Sequence, residues 1–321
     1  MTAAAQPLFL DTAAACGGAQ YSFADLLGAL HARGRQFHAG VANADLAARL
    51  PADVVTAEPF PAVNARRSPA GVLNLLTAVV RARRWFRRYC DRHGAPALIY
   101  ANGLPTALAA VALPGGHPVV LHHRDVRYPV VLWRRLVPRL HRVIVLSDFM
   151  LDRCREQLPP ALHPRLQRVY NGFDFDRIRR QAQAPLNRQL GSGRPLLLLV
   201  ADLVRWKRHD LFLRALAELK AQGHTDFAAV IVGGPRDAAG ERLRGRLRLL
   251  TIRLQMASCV RWFEHVPDVL PFMARADVIC STAAEEPFGR AVVEGLACDA
   301  SAVVVDGGGP AEIVAGLPQA E

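Results

Sequence analysis

Short apolar or β-branched runs alternate with longer amphipathic stretches throughout the chain, and the alternation restarts after a polar break near residue 180. Runs this short and uniformly apolar suit strands buried on both faces, and such strands are joined by helical crossovers. The pattern is the signature of βαβ units and a parallel sheet. In the first half it predicts strands at Pro7–Leu10, Phe37–Val41, Asp53–Thr56, Ala97–Ala101, Val119–His122, Val143–Leu146 and Leu166–Tyr170. Helices fall over Ala19–Arg33, Gly71–His93 and Asp148–Leu158. The second half predicts strands at Pro195–Ala201, Ala228–Val232, Val260–Phe263, Val278–Ser281 and Ala302–Val305. His209–Gln222 carries Leu211, Phe212, Ala215, Leu216 and Leu219 on one helical face.

A length of 321 residues suits two domains. Between them, the polar segment Asn171–Arg194, with Pro185 and a Gly-Ser-Gly at 191–193, reads as a linker. The expected architecture is two doubly wound, Rossmann-like parallel-sheet domains, 1–180 and 195–321, joined by residues 181–194. Open sheets of this kind bind ligands at the carboxyl ends of their strands, which predicts an inter-domain cleft. The pattern alone names no reaction.

Composition narrows the class. No apolar run reaches 18 residues, and the first 20 residues lack the basic start of a secretory signal. The six cysteines form no CxxC pair and no zinc-like cluster, so reduced thiols and a cytosolic location without metal are expected. The net charge of +12 is unevenly placed: residues 1–180 hold 24 Arg and 12 acidic residues, whereas residues 181–321 balance. Only Lys207 and Lys220 are lysines. Arg81–Tyr89 and Trp133–Arg142 mix arginine with apolar side chains, which suits an anionic bilayer surface or, equally, solvated helix faces. No nucleic-acid recognition motif accompanies the charge.

The most informative segment runs from Ser281 to Cys298, STAAEEPFGRAVVEGLAC. A strand ends near Ser281, and a helix is expected to start near Phe288, with Glu294 about two turns in. Amides at the start of a helix favour a bound anion such as a diphosphate. Carboxylates there can accept hydrogen bonds from sugar or ribose hydroxyls, and Gly289 allows close approach to the backbone. Two glutamates at this spacing also occur as an ordinary helix-start acid and a solvated helix residue.

With its continuation VVVDGGGPAEIV, this segment resembles the donor-site signature of the retaining family 4 glycosyltransferases of GT-B fold. Cys16-Gly-Gly-Ala-Gln20, Val143–Ser147, Val169–Asp174, Val204–Asp210 and Val230–Pro235 are similar to other pieces of that family, in its order. The resemblance implies a metal-independent, retaining hexosyltransferase without a cofactor. It would use a nucleoside-diphosphate sugar, UDP rather than GDP, and a glycan, lipid-linked or small-molecule acceptor. Glu286 would hold the donor sugar and Glu294 the ribose, while the amides around Phe288, Gly289, Arg290 and Ala291 would bind sugar or diphosphate. Lys207 would neutralise the diphosphate, with Gly17 and Gly18 beneath it from the other domain. His122, His123 or Arg124 would stand near the reacting sugar, and a structural role for any of them is equally open.

Three features depart from the family's pattern. Ala201-Asp202 stands where the family usually has Gly-Arg, and a partly desolvated Asp202 would repel phosphate by about 1 kcal/mol or more unless Arg205 or Arg208 compensates. Cys298-Asp299-Ala-Ser replaces Cys-Gly-x-Pro, asking Asp299 for a left-handed conformation. The family continues for another strand and several helices past the position of Glu321, so the resemblance implies an incomplete second domain with an uncovered sheet edge. Two other readings stay open: a non-catalytic GT-B protein binding nucleotide or a partner, and a sugar-nucleotide epimerase.

Overall fold

The computed structural model describes residues 5–56, 58–63, 69–186, 190 and 193–317. The chain divides into two compact units, Met1–Phe173 and Asp174–Glu321. Unit 1 holds β1 (Leu8–Asp11), β2 (His38–Val41), β3 (Ile99–Asn102), β4 (Val119–His122), β5 (Arg142–Val145) and β6 (Leu166–Arg168), in the order β2-β1-β3-β4-β5-β6. Unit 2 holds β7 (Leu196–Val200), β8 (Ala228–Val232), β9 (Val260–Phe263), β10 (Val278–Ser281) and β11 (Ser301–Val304), in the order β11-β10-β7-β8-β9. Every named strand pairing is parallel, and the central strands β1, β3 and β8 are buried throughout, as strands covered on both faces are. The strand order reverses between β1 and β3 in unit 1 and between β7 and β10 in unit 2. Those two points are where open α/β sheets leave a crevice.

The cores follow from the strand composition. All five residues of β8 are buried, and β7 and β8 pack against Phe212, Leu213 and Leu216 of the helix His209–Ala221. In unit 1 the ring of Phe9 meets those of Tyr100 and Phe37, with centroids 4.8 and 5.2 Å apart. Trp85, Phe86, Tyr89 and Trp133, the aromatic members of the two arginine-rich segments, all point into this unit.

One expected strand is corrected. Asp53–Thr56 makes only an isolated bridge, Ala39 to Val55, because the Val54 amide turns back onto the Pro51 carbonyl at 3.2 Å. The two units divide at 173/174, and the polar stretch after that point is structured. Asp174 caps the helix Phe175–Ala182 by accepting from the Arg177 amide at 2.9 Å. That helix buries Ile178 and Ala182 and packs on Leu270–Met273. Of the expected linker, residues 187–189 and 191–192 lie outside the described residues, as do 318–321 of the second domain. The described residues contain no helix long and apolar enough to cross a membrane, no cluster of metal-ligating side chains, and six free cysteines.

Candidate functional site

In unit 2, chemistry gathers at the carboxyl ends of β7 and β10, on either side of the reversal in strand order. Lys207 lies in the loop after β7 and Glu286 in the loop after β10, and their side chains form an ion pair. Both are largely enclosed, at 21 % and 14 % side-chain exposure. The Lys207 ammonium also sits 4.2 Å from the centre of the Trp206 ring, and the Thr282 hydroxyl donates to the Lys207 carbonyl at 2.7 Å. Backbone and side chain of Lys207 are thus both fixed.

The helix after this loop is Arg290–Leu296, two residues later than expected, because Phe288 turns into the core at 6 % exposure. Gly289 is its N-cap in the left-handed region at φ 104°, where a side chain would be strained and would meet Pro310 at 2.8 Å. Glu294 therefore lies just over one turn into the helix, not two. Its carboxylate accepts from Arg290 at 2.7 Å, and Arg290 and Glu294 are 17 % and 14 % exposed. Ala291 follows Arg290 in the first turn. The structure thus brings Lys207, Glu286, Phe288, Gly289, Arg290, Ala291 and Glu294 to one edge of the second sheet.

One supporting element carried no assigned role in the sequence. Gly307-Gly308-Gly309 leaves β11 and packs directly on the Glu286 loop, where the Gly309 amide donates to the Glu286 carbonyl at 2.8 Å. A Cβ at Gly308 would lie 2.7 Å from that carbonyl oxygen and 2.9 Å from the Glu286 nitrogen. Three consecutive glycines between a strand and a helix were the available signal.

Asp202 does not stand as an uncompensated charge. Its carboxylate accepts from Arg236 Nε at 2.6 Å and lies 3.0 Å from His265 Nε2. The expected compensation by Arg205 or Arg208 is replaced: Arg208 pairs instead with Asp210 at 3.2 Å. Arg236 and His265 were missed because they lie after β8 and β9, far from Asp202 in sequence. Asp299 takes the left-handed conformation expected of it, at φ 66°.

In unit 1 a buried polar network ties together the carboxyl ends of β1, β3 and β4. The fully buried Asp11 carboxylate accepts from the Ala13 amide at 2.8 Å, Gln20 Nε2 at 3.0 Å and Asn102 Nδ2 at 2.5 Å. Gln20 belongs to the helix Gly18–Ala32, so Asp11 holds the Gly17–Gly18 turn, with Gly17 as extended N-cap. Asn102 in turn accepts from Arg124 Nε at 2.5 Å. Arg124, 6 % exposed, also donates to Asn171 at 3.2 Å and approaches His122 Nδ1 at 3.1 Å.

Guanidinium groups only donate, so Nδ1 of His122 is the acceptor and its proton sits on Nε2. The Tyr100 hydroxyl bonds the same Nδ1. Burial, then the Arg124 charge, then His123 hold His122 well below the ordinary histidine value, so it is neutral at pH 7. Its Nε2 is enclosed and has no hydrogen-bond partner among the described residues. His123 goes elsewhere: it packs between Trp133 and Tyr128, with ring centroids 4.7 Å away on both sides. Burial lowers it to about 3, and neither ring nitrogen reaches solvent. Of the three expected groups His122 keeps an unanswered donor, Arg124 orients it, and His123 is a core residue. Asp11 and Asn102 were missed, although a carboxylate closing the apolar run Leu8–Asp11 marked the place.

Residues 183–317 match the model of the family described as Glycosyl transferases group 1. A GDP-Man:Man(3)GlcNAc(2)-PP-Dol alpha-1,2-mannosyltransferase of Neurospora crassa is 34% identical over 120 residues, covering 36% of this chain and 22% of that protein. A D-inositol 3-phosphate glycosyltransferase of Corynebacterium jeikeium is 34% identical over 113 residues, covering 34% of this chain and 27% of that protein. The alignments thus span about a quarter of the length of these curated relatives. Among solved structures, Anabaena HepE in complex with UDP and glucose is similar at a TM-score of 0.72 and 23% identity, over 97% of this chain and 83% of that one. The second unit carries a glycosyl transferases group 1 domain, and the chain as a whole has the GT-B type of fold with two parallel-sheet α/β units.

Proposed function

We propose that this chain is a glycosyltransferase that moves a hexose-type sugar from a nucleoside-diphosphate sugar, UDP rather than GDP, to a glycan, lipid-linked or small-molecule acceptor with retention. The observation that carries the reading is the enclosed Lys207–Glu286 pair at the β7/β10 reversal, inside the region matching the family model. On donor binding Lys207 exchanges Glu286 for the diphosphate, where its charge stabilises the leaving group without a metal ion. The freed Glu286 carboxylate accepts from sugar hydroxyls, and Glu294 accepts from the ribose. Gly289 to Ala291 offer backbone amides to the donor.

Calorimetric titration of the full chain with UDP and GDP tests the donor site. UDP should bind saturably, and Glu294→Ala should weaken it about tenfold, the worth of one hydrogen bond to a charged group. Absence of binding by either nucleotide would overturn the assignment and favour a non-catalytic protein. The uncompensated Asp202 that motivated that second reading has Arg236 and His265 as partners. Conversion of a nucleotide sugar without any acceptor would favour the epimerase reading.

The same proposal places the chain on the cytoplasmic face of a membrane as a peripheral protein. The supporting feature is the segment Val126–Ser147, which contains Arg127, Arg134, Arg135, Arg139 and Arg142 and no carboxylate. Val130 and Val131 on the helix Val130–Leu136 are 37% and 64% exposed beside these arginines.

A further inference from the structure

Asp202, Arg236 and His265 follow β7, β8 and β9, three neighbouring strands, at the same carboxyl edge that carries Lys207 and Glu286. Their side chains are 31 %, 37 % and 51 % exposed, so the cluster opens to solvent. A surface ion pair of this kind adds little to stability. Its backbone is nevertheless built tightly. The Leu203 amide donates to the Gly234 carbonyl at 3.0 Å and the Gly233 amide to the Phe263 carbonyl at 2.9 Å, tying all three loops together. A Cβ at Gly233 would fall 2.0 Å from the Ala201 carbonyl oxygen, so no other residue fits there. Asp237 caps the helix Ala238–Arg253 by accepting from the Gly240 amide at 2.8 Å, which fixes Arg236 at the foot of that helix. The buried His209, with Nε2 3.2 Å from the Ala201 carbonyl, braces the residue that precedes Asp202.

A rigid, solvent-facing arginine held by a carboxylate has the geometry of an anion site with its own stand-in anion, because the guanidinium fork fits carboxylate and phosphate alike. We infer that Arg236 is a phosphate-binding residue of the donor site and that Asp202 occupies it as an internal anion until phosphate displaces it. This rests on the reading of the Lys207–Glu286 edge as a nucleotide-sugar site, and it puts a cation one strand further along, on β8 beside β7. His265, on the far side of Asp202, receives the displaced carboxylate. The position where the related family places an arginine is thus filled by an acid that manages an arginine from the next loop.

Calorimetry of the full chain with inorganic pyrophosphate, UDP and uridine tests this, using Arg236→Ala, Asp202→Asn, the double variant and Lys207→Ala. Removing the internal anion in Asp202→Asn should tighten pyrophosphate and UDP several-fold and leave uridine unchanged. Arg236→Ala should weaken both phosphate ligands about tenfold. The double variant decides between mechanisms. If Arg236 touches phosphate, it should bind about tenfold more weakly than Asp202→Asn. Equal affinity of the double variant and Asp202→Asn would show that Arg236 only neutralises Asp202, and the inference would fall. Should Arg236→Ala bind UDP like wild type while Lys207→Ala does not, the inference fails and the donor-site reading survives. Pyrophosphate binding that depends on Arg236, without any nucleotide binding, would keep the phosphate contact and overturn the donor-site reading. A wild-type chain that binds neither would end both. Arg236→Lys keeps the charge and should recover part of the affinity, which separates a lost contact from a misfolded loop.

Discussion

Three buried histidines give the molecule a pH dependence that can be traced to single residues. His122 is held well below its ordinary value, His123 at about 3 and His209 at about 4, each chiefly by burial. The unfolded chain takes up these protons near pH 6.5, whereas the folded chain does not, so between the two values the unfolded state binds more protons. Stability is therefore complete above about pH 6.5 and falls as the pH drops, by about 1.4 kcal/mol per pH unit for each such group. His123 is the cleanest case, since it sits between Trp133 and Tyr128 with no polar partner among the described residues. His123→Phe keeps an aromatic ring in that slot and removes the titration. Thermal unfolding at pH 7.5 and pH 5.0 should show the variant losing less than the wild type on acidification. Equal losses would mean that His123 is protonated in the folded protein, against the burial described. That His123 packs into the core was not legible from the sequence: successive strand-end residues point to opposite sides, and only the packing of Tyr128 and Trp133 decides which side is core.

At the scale of elements, the donor loop stands on the glycines that follow β11. Gly308→Val would push a side chain against the backbone of Glu286, at 2.7 and 2.9 Å, and backbone cannot rotate away as a flexible side chain can. The variant should lower UDP affinity at least tenfold and cost about 1–3 kcal/mol of stability. Gly316→Ala, at the other end of the same helix and with only the Ile313 carbonyl at 3.8 Å, should leave both unchanged. If Gly308→Val bound UDP normally, the loop would not depend on that contact. Elements of this unit were legible where burial is total. The bounds of β8 follow directly from its apolar run, all five residues of which are buried. The helix Phe175–Ala182 was hidden as linker because only Ile178 and Ala182 turn inward among arginines and other polar residues. The late start of the Arg290 helix was hidden because Phe288 reads as a helical apolar position but fills the loop's core instead. The Asp202–His265 contact spans 63 positions in sequence, and no local pattern encodes such a pairing.

On the scale of the whole molecule, charge separates the two units more sharply than fold does. Residues 1–173 hold 21 basic and 10 acidic side chains, so nearly all of the +12 lies in unit 1. Within that unit the two arginine-rich segments are not equivalent. Around Arg81–Tyr89 the aromatic residues are buried, and Glu58 already neutralises Arg88 and Arg92 at 2.7 and 3.0 Å. The segment Val126–Ser147 has no acid of its own, and it sets the exposed valines Val130 and Val131 among its arginines. Arg134 and Arg142 are braced on the Gln157 and Pro164 carbonyls at 2.7 and 2.8 Å, which holds their stems along the surface. An anionic bilayer contributes about 1 kcal/mol per arginine near its surface, and insertion of Val131 adds apolar burial that free anions in solution cannot supply. The full chain should therefore co-sediment with vesicles containing phosphatidylserine and release as salt rises and the Debye length shrinks. Val131→Asp should abolish most of that binding and Arg135→Glu should weaken it, whereas Val80→Asp, on the long helix Pro69–His93 and 49% exposed, should leave it intact. Equal binding to uncharged vesicles, or wild-type binding by Val131→Asp, would show that the arginines of unit 1 serve solvation rather than a membrane.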